Sequence, residues 1–227
     1  VYGVSFKSPF PEQTAFTIEL PADLKDEAER PLANADKFPL SIKTDRYPPL
    51  AKFPARFGIV ELEGDRLLPV TLRNVEPEVK AKSLKLGKEE GMMARIIARI
   101  RNVPLERPAN LQAALRRVAS ASRERSMLTW DQDIKEFKVP KPSGAKAFEV
   151  VGIPFNDPGL YLVELESTLL GQALLASPKP MYVPTAVLVT NLSVHFKWGR
   201  ESSLVWVTSL DKGEPVSHAA VTVMDCR

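Results

Sequence analysis

Apolar and polar residues alternate in several short stretches, and the most distinctive of these runs from Ser193 to Val223. Leu204 and Trp206 lie in its first half, and a cluster of turn-forming residues, Asp211 to Pro215, follows them. The stretch then continues with the apolar residues Ala220, Val221 and Val223. Alternation with a period of two, interrupted by a Gly/Pro turn, predicts two antiparallel strands with one buried face.

The same pattern predicts strands in the rest of the chain. Two of them, Thr14 to Leu20 and the stretch FPLSIKTD from Phe38, are joined by a polar connection. A strong turn, Asn156 to Gly159, separates two others. The remaining predicted strands are Phe57 to Glu61, Leu67 to Val75, Val79 to Leu84, Ala147 to Phe155, Leu160 to Glu166 and Met181 to Asn191.

After Leu86 the spacing of apolar residues becomes helical. Met92, Met93, Ile96, Ile97, Ile100 and Val103 predict an amphipathic helix from Glu89 to Asn102. Leu111, Leu115 and Val118 predict a second helix, which begins near Pro108. Together the two helices form an insertion between the third and fourth strands of the central region.

The polar side of this insertion is rich in arginine: Arg95, Arg99, Arg101, Arg116, Arg117, Arg123 and Arg125. Two interpretations stay open. The arginines form the solvated side of helices whose apolar side covers a sandwich, or they bind an anionic membrane, an acidic neighbour or a nucleic acid. Within the first interpretation, we hypothesise that the insertion docks on an adjacent module of the same polypeptide.

Twenty prolines, most of them at the edges of apolar runs, favour antiparallel β-sandwich modules in series. We expect a mainly β protein with immunoglobulin-like modules in tandem, one of which carries the α-helical insertion. Residues 1–48 are predicted to be the C-terminal part of one module, and Tyr47 to Leu50 the linker. Residues 49–191 are predicted to be a complete sandwich of roughly six or seven strands, with the insertion at about 87–140. Residues 192–227 are predicted to be the first strands of the next module, so we expect a segment of a longer protein.

Composition narrows the classes of partner. With 31 Lys and Arg against 28 Asp and Glu, the net charge is +3, which does not favour nucleic-acid binding. No apolar run approaches the roughly 20 residues that span a bilayer, so we expect no direct membrane insertion of this chain. The single cysteine, Cys226, excludes an internal disulfide. It either pairs with a cysteine outside this sequence or is an unpaired thiol.

Residues with catalytic or metal-binding chemistry are few. His195 and His218 are the only histidines, and neither has the spacing of a metal site, so we interpret both as structural or solvated. Asp131, Asp133 and Glu136 lack the glycine and the further oxygen ligands of a calcium loop, which favours a solvated stretch above Trp130 and Phe137. No nucleophile motif or phosphate-binding glycine loop occurs. We therefore predict no catalytic, cofactor-binding or metal-binding residues, and the binding residues stay unknown.

Three passages resemble the macroglobulin-like modules of the bacterial α2-macroglobulin family. The first is PGLYLVELES, the second is VLVTNLSVHFKWGRESSLVWVTSLDKGEPV, and the third is GEPVSHAAVTVMD. The amino-terminal passage from PFPEQTAF to FGIVE is also similar, whereas the resemblance is weakest over 87–140. It implies that the predicted sandwiches are macroglobulin-like.

The resemblance also implies a function. Members of the family are large periplasmic or envelope proteins that trap proteases after cleavage of a bait segment, and many link to the protease through a Cys-x-Glu-Gln thioester. That motif is absent here, because the only cysteine lies in Met-Asp-Cys-Arg. The resemblance therefore implies a structural part without activity or cofactor, in a periplasmic protein that can be anchored to the inner membrane as a lipoprotein. Its expected partners are neighbouring modules and target proteases.

Two other classes of function stay open from the sequence. One is a generic adhesive or glycan- or protein-binding sandwich of a secreted or envelope protein, which a row of exposed aromatic residues on one sheet would favour. The other is an enzyme, for which the sequence offers no set of catalytic residues.

Overall fold

The computed structural model describes residues 5–86, 108–129, 131, 133–141 and 149–223. The chain divides into two compact units, Val1–Pro48 and Pro49–Arg227. The division of the second unit into a complete module and the start of another stays a prediction. Several predicted features lie outside the described residues, namely the helix at 89–102, the arginines at 95, 99 and 101, Trp130 and Cys226.

The first unit contains a small antiparallel sheet of β1 (Ala15–Ile18) and β2 (Leu40–Lys43). A 3-10 turn, Ala35–Lys37, lies in the connection between them. The Thr44 hydroxyl ties the strand ends together, because it accepts from the Thr14 amide at 3.0 Å and donates to the Pro11 carbonyl at 2.7 Å. Both strands predicted here are confirmed.

The second unit is mainly β. Its strands are β3 (Leu50–Lys52), β4 (Phe57–Glu61), β5 (Leu67–Arg73), β6 (Glu78–Leu86), β7 (Lys135–Pro140), β8 (Glu149–Pro154), β9 (Gly159–Ser167), β10 (Met181–Thr190), β11 (Leu192–Lys197) and β12 (Leu204–Ser209). Its helices are α1 (Pro108–Ala119) and α2 (Thr168–Leu174). A five-stranded sheet has the order β4-β10-β9-β6-β7, and a three-stranded sheet has the order β3-β5-β8. The predicted mainly β class with antiparallel sheets is confirmed, and the second helix of the predicted insertion is present as α1.

One apolar core joins the two larger sheets. Val70 and Leu72 of β5 contribute from the three-stranded sheet, and Val163 and Leu165 of β9 contribute from the five-stranded sheet. All four side chains are completely buried. Alternate residues of each strand enter this core, as expected when two sheets pack face to face.

The arrangement differs from the prediction in several places. The three short or polar elements β3, β7 and α2 were not predicted as regular structure: β3 overlaps the predicted linker, and β7 lies in the predicted insertion. Residues 50–190 therefore hold eight described strands rather than six or seven. In addition, β4 pairs with β10 in parallel orientation, so the five-stranded sheet is mixed. Alternation marks a strand but does not identify its neighbour, which explains this difference.

The outer face of the five-stranded sheet, which points away from the three-stranded sheet, is covered in part by α1. Ala114 and Val118 of the helix pack with Leu84, Leu162 and Ala186. Leu115, which was predicted to belong to the apolar side, is instead 39% exposed. The small residue Ala114 allows α1 to approach the sheet closely. The buried side of the helix therefore contains Ala114 in place of the predicted Leu115.

The carboxyl-terminal hairpin also differs from the prediction. β12 pairs with the preceding strand β11 rather than with residues 220–223, which form no strand. The predicted turn is present, since Gly213 has φ +70° and Ser209 N donates to Glu214 O at 2.9 Å. After it, the described residues up to 223 pair only through the bridge between Thr208 and Pro215. The predicted second strand is therefore wrong.

Candidate functional site

The residues considered from the sequence as catalytic or metal-binding do not form a site in the described part of the chain. His195 lies opposite Trp206 in the hairpin, and its Nε2 is 3.1 Å from the Ser193 hydroxyl. His218 lies on the surface after the Gly213 turn. Among the described residues, no three side chains of the metal-binding types come together.

The acidic stretch has structural partners instead. Asp131 accepts two hydrogen bonds from the guanidinium of Arg117, at 2.8 and 2.5 Å. The same guanidinium donates to the Met127 carbonyl. Arg117, which was predicted to belong to the basic face, is therefore an internal anchor that fixes the end of α1 to Met127 and Asp131. The partner Asp131 raises the pKa of Arg117, and Arg117 in turn lowers the pKa of Asp131.

The most unusual group in the described structure is the carboxylate of Glu164, which projects from the middle of β9. The residue is only 2% exposed, on the outer face of the sheet. Its Oε1 accepts from the Ser126 hydroxyl at 2.5 Å, and its Oε2 accepts from the Met127 amide at 2.6 Å. One carboxylate therefore holds the segment 121–129 onto the sheet at two points.

Burial dominates the electrostatics of Glu164 and raises its pKa above that of an ordinary glutamate. The hydrogen bonds from Ser126 and Met127, and the positive charge of Lys82, act in the opposite direction but do not cancel the effect of burial. A carboxyl group with a raised pKa is suited to proton transfer only if a substrate reaches it. Here both oxygens are already bonded to the covering segment, so the geometry indicates an anchor.

Beside this anchor, charged side chains of β6, β7 and β9 line an open groove of about 470 Å³. They are arranged in facing pairs across the strands: Lys82 is 3.6 Å from Glu136, and Lys80 is 3.5 Å from Glu166. The charged residues that line the groove are Lys80, Lys82, Lys138, Glu136, Glu164 and Glu166. The two signs occur in equal numbers, and each of these groups already has a partner: Lys138 pairs with Glu78, and Glu164 accepts from Ser126 and Met127. This indicates a cross-strand network rather than a site for one charged ligand.

A second carboxylate anchor, Glu76, contacts the carboxyl-terminal end of β9. Glu76 accepts from the Ser167 hydroxyl at 2.7 Å and from the amides of Thr168 and Leu169 at 2.7 and 2.9 Å. Burial opposes the ionisation of Glu76, but these donors outweigh it and lower its pKa. The carboxylate thus caps the first turn of α2 and joins it to the loop after β5.

The surface feature with the clearest binding character is one side of the β11–β12 hairpin. The register places Val194 opposite Val207 and Phe196 opposite Val205, so their side chains share one face. Val194 is 64% exposed, and Trp198, just beyond β11, packs edge-on against Phe196 with ring centres 6.0 Å apart. An apolar face of this kind marks a surface that another element covers.

Sequence reasoning found neither Glu164 nor its partner Ser126. The sequence does contain a signal for Glu164, since it lies between the apolar residues Val163 and Leu165 of a strand that is buried on both faces. Charged residues are rarely buried without a partner, so a glutamate in this position indicates a buried anchor. The partner gave no signal, since Ser126 lies 38 positions away in a polar segment.

Comparison with known proteins identifies the carboxyl-terminal part of the chain. Residues 189–227 match the family model of the bacterial alpha-2-macroglobulin MG3 domain. The predicted resemblance is confirmed there, and we call these residues the MG3 segment; it contains β11, β12 and the exposed apolar face. No curated protein matches the chain.

Two solved structures of native alpha-2-macroglobulin from Escherichia coli are also similar to the chain. The first spans domains MG0-NIE-MG1, with 16% identity, a TM-score of 0.48, and coverage of 76% of this chain and 49% of that one. The second spans domains NIE-MG1, with 16% identity, a TM-score of 0.44, and coverage of 74% and 73% respectively. The chain thus spans about half the length of the first of these structures.

Proposed function

We propose that this chain is a structural part of a protease-trapping protein of the bacterial cell envelope, related to α2-macroglobulin, and that it has no catalytic activity of its own. The observation that carries the proposal is the MG3 segment at 189–227. The segment begins within β10, at Val189, and a single residue, Asn191, separates β10 of the sandwich from β11. The chain therefore supplies a sandwich and the beginning of a family domain in continuous sequence.

The junction between them is held by the side chain of Asn191. Its Nδ2 donates to the Asp211 carboxylate at 3.0 Å, and its Oδ1 accepts from the Asp211 amide at 3.2 Å. The backbone adds a hydrogen bond from Leu210 N to Asn191 O at 2.8 Å. These bonds join the end of β10 to the turn after β12, which suits a structural connection between two modules.

We further propose that residues 192–227 are the first strands of a module that continues beyond this sequence. The support is the hairpin itself, whose apolar face of Val194, Phe196, Val205 and Val207 is covered only in part by the described residues: Val194 is 64% exposed and Phe196 is 52% exposed. In a sandwich, such a face packs against a second sheet. The remaining strands of the module would supply that sheet.

The partners of the proposed protein are its own neighbouring modules and the proteases that it traps. Its location is the periplasm, with a lipid anchor in the inner membrane. Among the described residues, no helix combines the length and the apolar character that crossing a membrane requires.

The trapping function is tested on the longer protein that the proposal implies. We expect trypsin added to this protein to co-elute with it in size-exclusion chromatography. The retained trypsin is expected to cleave a small chromogenic peptide but not casein, since a trapped protease is accessible to small substrates only. The 227-residue chain alone is the control and should retain no trypsin. Cleavage of the long protein without co-elution would contradict the trapping function.

One observation favours the alternative, an adhesive or glycan-binding module: Phe196 and Trp198 form an exposed aromatic pair, and Trp198 is 81% exposed. Exposed aromatic rings are suited to stacking on sugar rings. The discriminating measurement is a tryptophan-fluorescence titration of the same long protein with soluble peptidoglycan fragments. Saturable quenching that the substitution Trp198→Ala abolishes would support the alternative, and its absence would support the structural role.

A further inference from the structure

The two edges of the five-stranded sheet differ in their chemistry. β7 forms one edge, and it contains Lys135, Glu136, Lys138 and Pro140. Lysines and prolines on an edge strand hinder its pairing with a strand of another chain. β4 forms the other edge, has the sequence FGIVE, and carries one charge, that of Glu61, at its last position. It therefore lacks the lysines and the proline that protect the opposite edge.

The backbone groups of β4 that point away from the sheet belong to Phe57 and Ile59. Ala186 N donates to Arg56 O at 2.9 Å, and the amide of Leu62 is bonded to β10 as well, so the even-numbered residues here face β10. Successive residues of a strand in a parallel pair direct their backbone groups to opposite sides. The amides and carbonyls of Phe57 and Ile59 therefore point outward, and none of the described strands pairs with them.

The side chains of this edge are suited to contact with another strand. Phe57 is 43% exposed and Ile59 is 57% exposed, both on the outer face of the sheet. Between them, Gly58 belongs to the inner face, where an added Cβ would meet no atom within 4 Å. The edge thus offers outward backbone groups, two exposed apolar side chains and free space between them.

We propose that this edge pairs with the same edge of a second copy of the chain, in antiparallel orientation about a two-fold axis. Phe57 then lies opposite Ile59 of the second copy, and the two-fold axis repeats the pair with the copies exchanged. Each pair exchanges both of its backbone hydrogen bonds. The two β4 strands join the two five-stranded sheets into one continuous sheet.

The sequence of β4 favours this occupant and this alignment. An aromatic residue opposite a β-branched one stabilises an antiparallel pair. With Phe57 opposite Ile59 of the second copy, the outer side chains at the junction are all apolar, and Gly58 lies opposite its own copy. The next alignment with outward backbone groups facing each other places Ile59 opposite its own copy and Phe57 opposite the charged Glu61.

The expected dimer is weak. One short strand from each copy provides a smaller contact than permanent dimers have, so we expect an association that depends on concentration. Covalent trapping of the pair is suited to such a contact.

Disulfide trapping in the complete 227-residue chain tests the alignment. The background is Cys226→Ser, so that only the introduced thiol reacts. Opposite residues that are not hydrogen-bonded to each other have Cα atoms about 4.5 Å apart, a distance that a disulfide bridges. Gly58→Cys is therefore expected to form disulfide-linked dimers about tenfold faster under mild oxidation than either of two controls.

The first control is Ile59→Cys, because the two copies of this position do not lie opposite each other in the proposed alignment. The second is Lys138→Cys on the protected edge, where the native side chain is 65% exposed. Equal rates for the three variants would overturn the proposal, since random collision would then account for the trapping. Faster trapping of Ile59→Cys than of Gly58→Cys would overturn the proposed alignment.

Light scattering coupled to size-exclusion chromatography measures the association without introduced thiols. We expect the mass of the Cys226→Ser chain to rise from one chain towards two as the concentration increases. In the same background, Ile59→Pro removes the outward amide but leaves the bonds between β4 and β10, since proline is tolerated where the N–H of an edge strand faces outward. This variant should have the mass of one chain at every concentration.

Ile59→Val is the matched control for Ile59→Pro, because it keeps the amide and a β-branched side chain, and it should associate like the Cys226→Ser chain. Circular dichroism verifies that both variants are folded. A mass of one chain for Cys226→Ser at every concentration would overturn the proposal, and so would unchanged association of the folded Ile59→Pro variant.

Hydrogen exchange distinguishes a second copy from another part of the same chain. In the dimer the amides of Phe57 and Ile59 donate to the second copy, so we expect their exchange to become slower as the concentration increases. Slow exchange of both amides in the monomer would overturn the proposal, because a segment of the same chain would then occupy the edge.

Discussion

Substitution of Gly171 by alanine is expected to destabilise the chain by about 3 kcal/mol, because α2 has no room for one more carbon atom. A Cβ built at this position would lie 1.8 Å from the Lys179 carbonyl oxygen and 2.9 Å from the Met181 amide nitrogen. Both contacts are with backbone, so no side-chain rotation relieves them. Either α2 or the loop that leads into β10 has to move.

This prediction is checked by urea unfolding monitored by circular dichroism. The matched control is Gly58→Ala in β4, where an added Cβ meets no atom within 4 Å. We expect the control to change the free energy of unfolding by no more than about 0.5 kcal/mol. Equal unfolding midpoints for the two variants would show that the loop after α2 tolerates displacement.

Substitution of Glu164 by alanine is expected to cost about 2–4 kcal/mol of stability and to release the segment 121–129 from the sheet. The Met127 amide, which is bonded in a buried position, would lose its acceptor, and the Ser126 hydroxyl would keep only the Leu128 carbonyl at 3.2 Å. An unsatisfied buried donor costs more than the net value of the hydrogen bond itself.

Limited trypsin digestion measures the release, because Arg123 and Arg125 are exposed positions in this segment. We expect cleavage there to become faster in Glu164→Ala. The control is Glu166→Ala, two positions along the same face, whose ion-pair partner Lys80 has a largely exposed side chain. That pair should contribute less than about 1 kcal/mol. A cleavage rate as low as that of the control would contradict the anchoring role of Glu164.

The pH dependence of stability separates the charge of Glu164 from its hydrogen bonds. Burial raises the pKa of Glu164 in the folded state above the ordinary value of 4.5. The folded state therefore holds the proton of Glu164 more tightly than the unfolded state does. The stability that this tighter proton binding contributes is complete below pH 4.5 and is lost as the pH rises through the raised pKa. The substitution Glu164→Gln keeps an acceptor for the segment 121–129 and has no charge to bury. The free energy of unfolding of Glu164→Gln, relative to that of the unsubstituted chain, should therefore increase between pH 4.5 and neutrality.

The strands of this chain were predictable where side chains of one face enter a core. Phe57–Glu61 was predicted with the bounds that the structure shows, because a short apolar run is followed by the turn formers Gly64 and Asp65. β7 was missed because it is an edge strand in which half of the residues are charged, among them Lys138 and Glu136, and only Val139 is deeply buried. Short-range patterns reveal burial, and an edge strand buries little.

The pairing of strands and the anchors were not predictable from local sequence. The parallel alignment of β4 with β10 depends on the path of the whole chain, which alternation does not encode. The anchor of Glu164 depends on a serine that only the fold brings near. On the helix, Leu115 was preferred to Ala114 because hydrophobicity rather than size decided the prediction, whereas close packing against a sheet favours the smaller residue.

The parallel pairing of β4 has a consequence for synthesis on the ribosome. Phe57 pairs with Ala186, roughly 130 positions later, so at 5–20 residues per second β4 waits about 6 to 26 seconds for its neighbour to be translated. During this interval its hydrogen-bonding edge and the side chains of Phe57 and Ile59 are open to any other nascent chain. The slow step in maturation of this chain is therefore expected to be the arrival of β10, and a chaperone that binds extended apolar strands would act in that window.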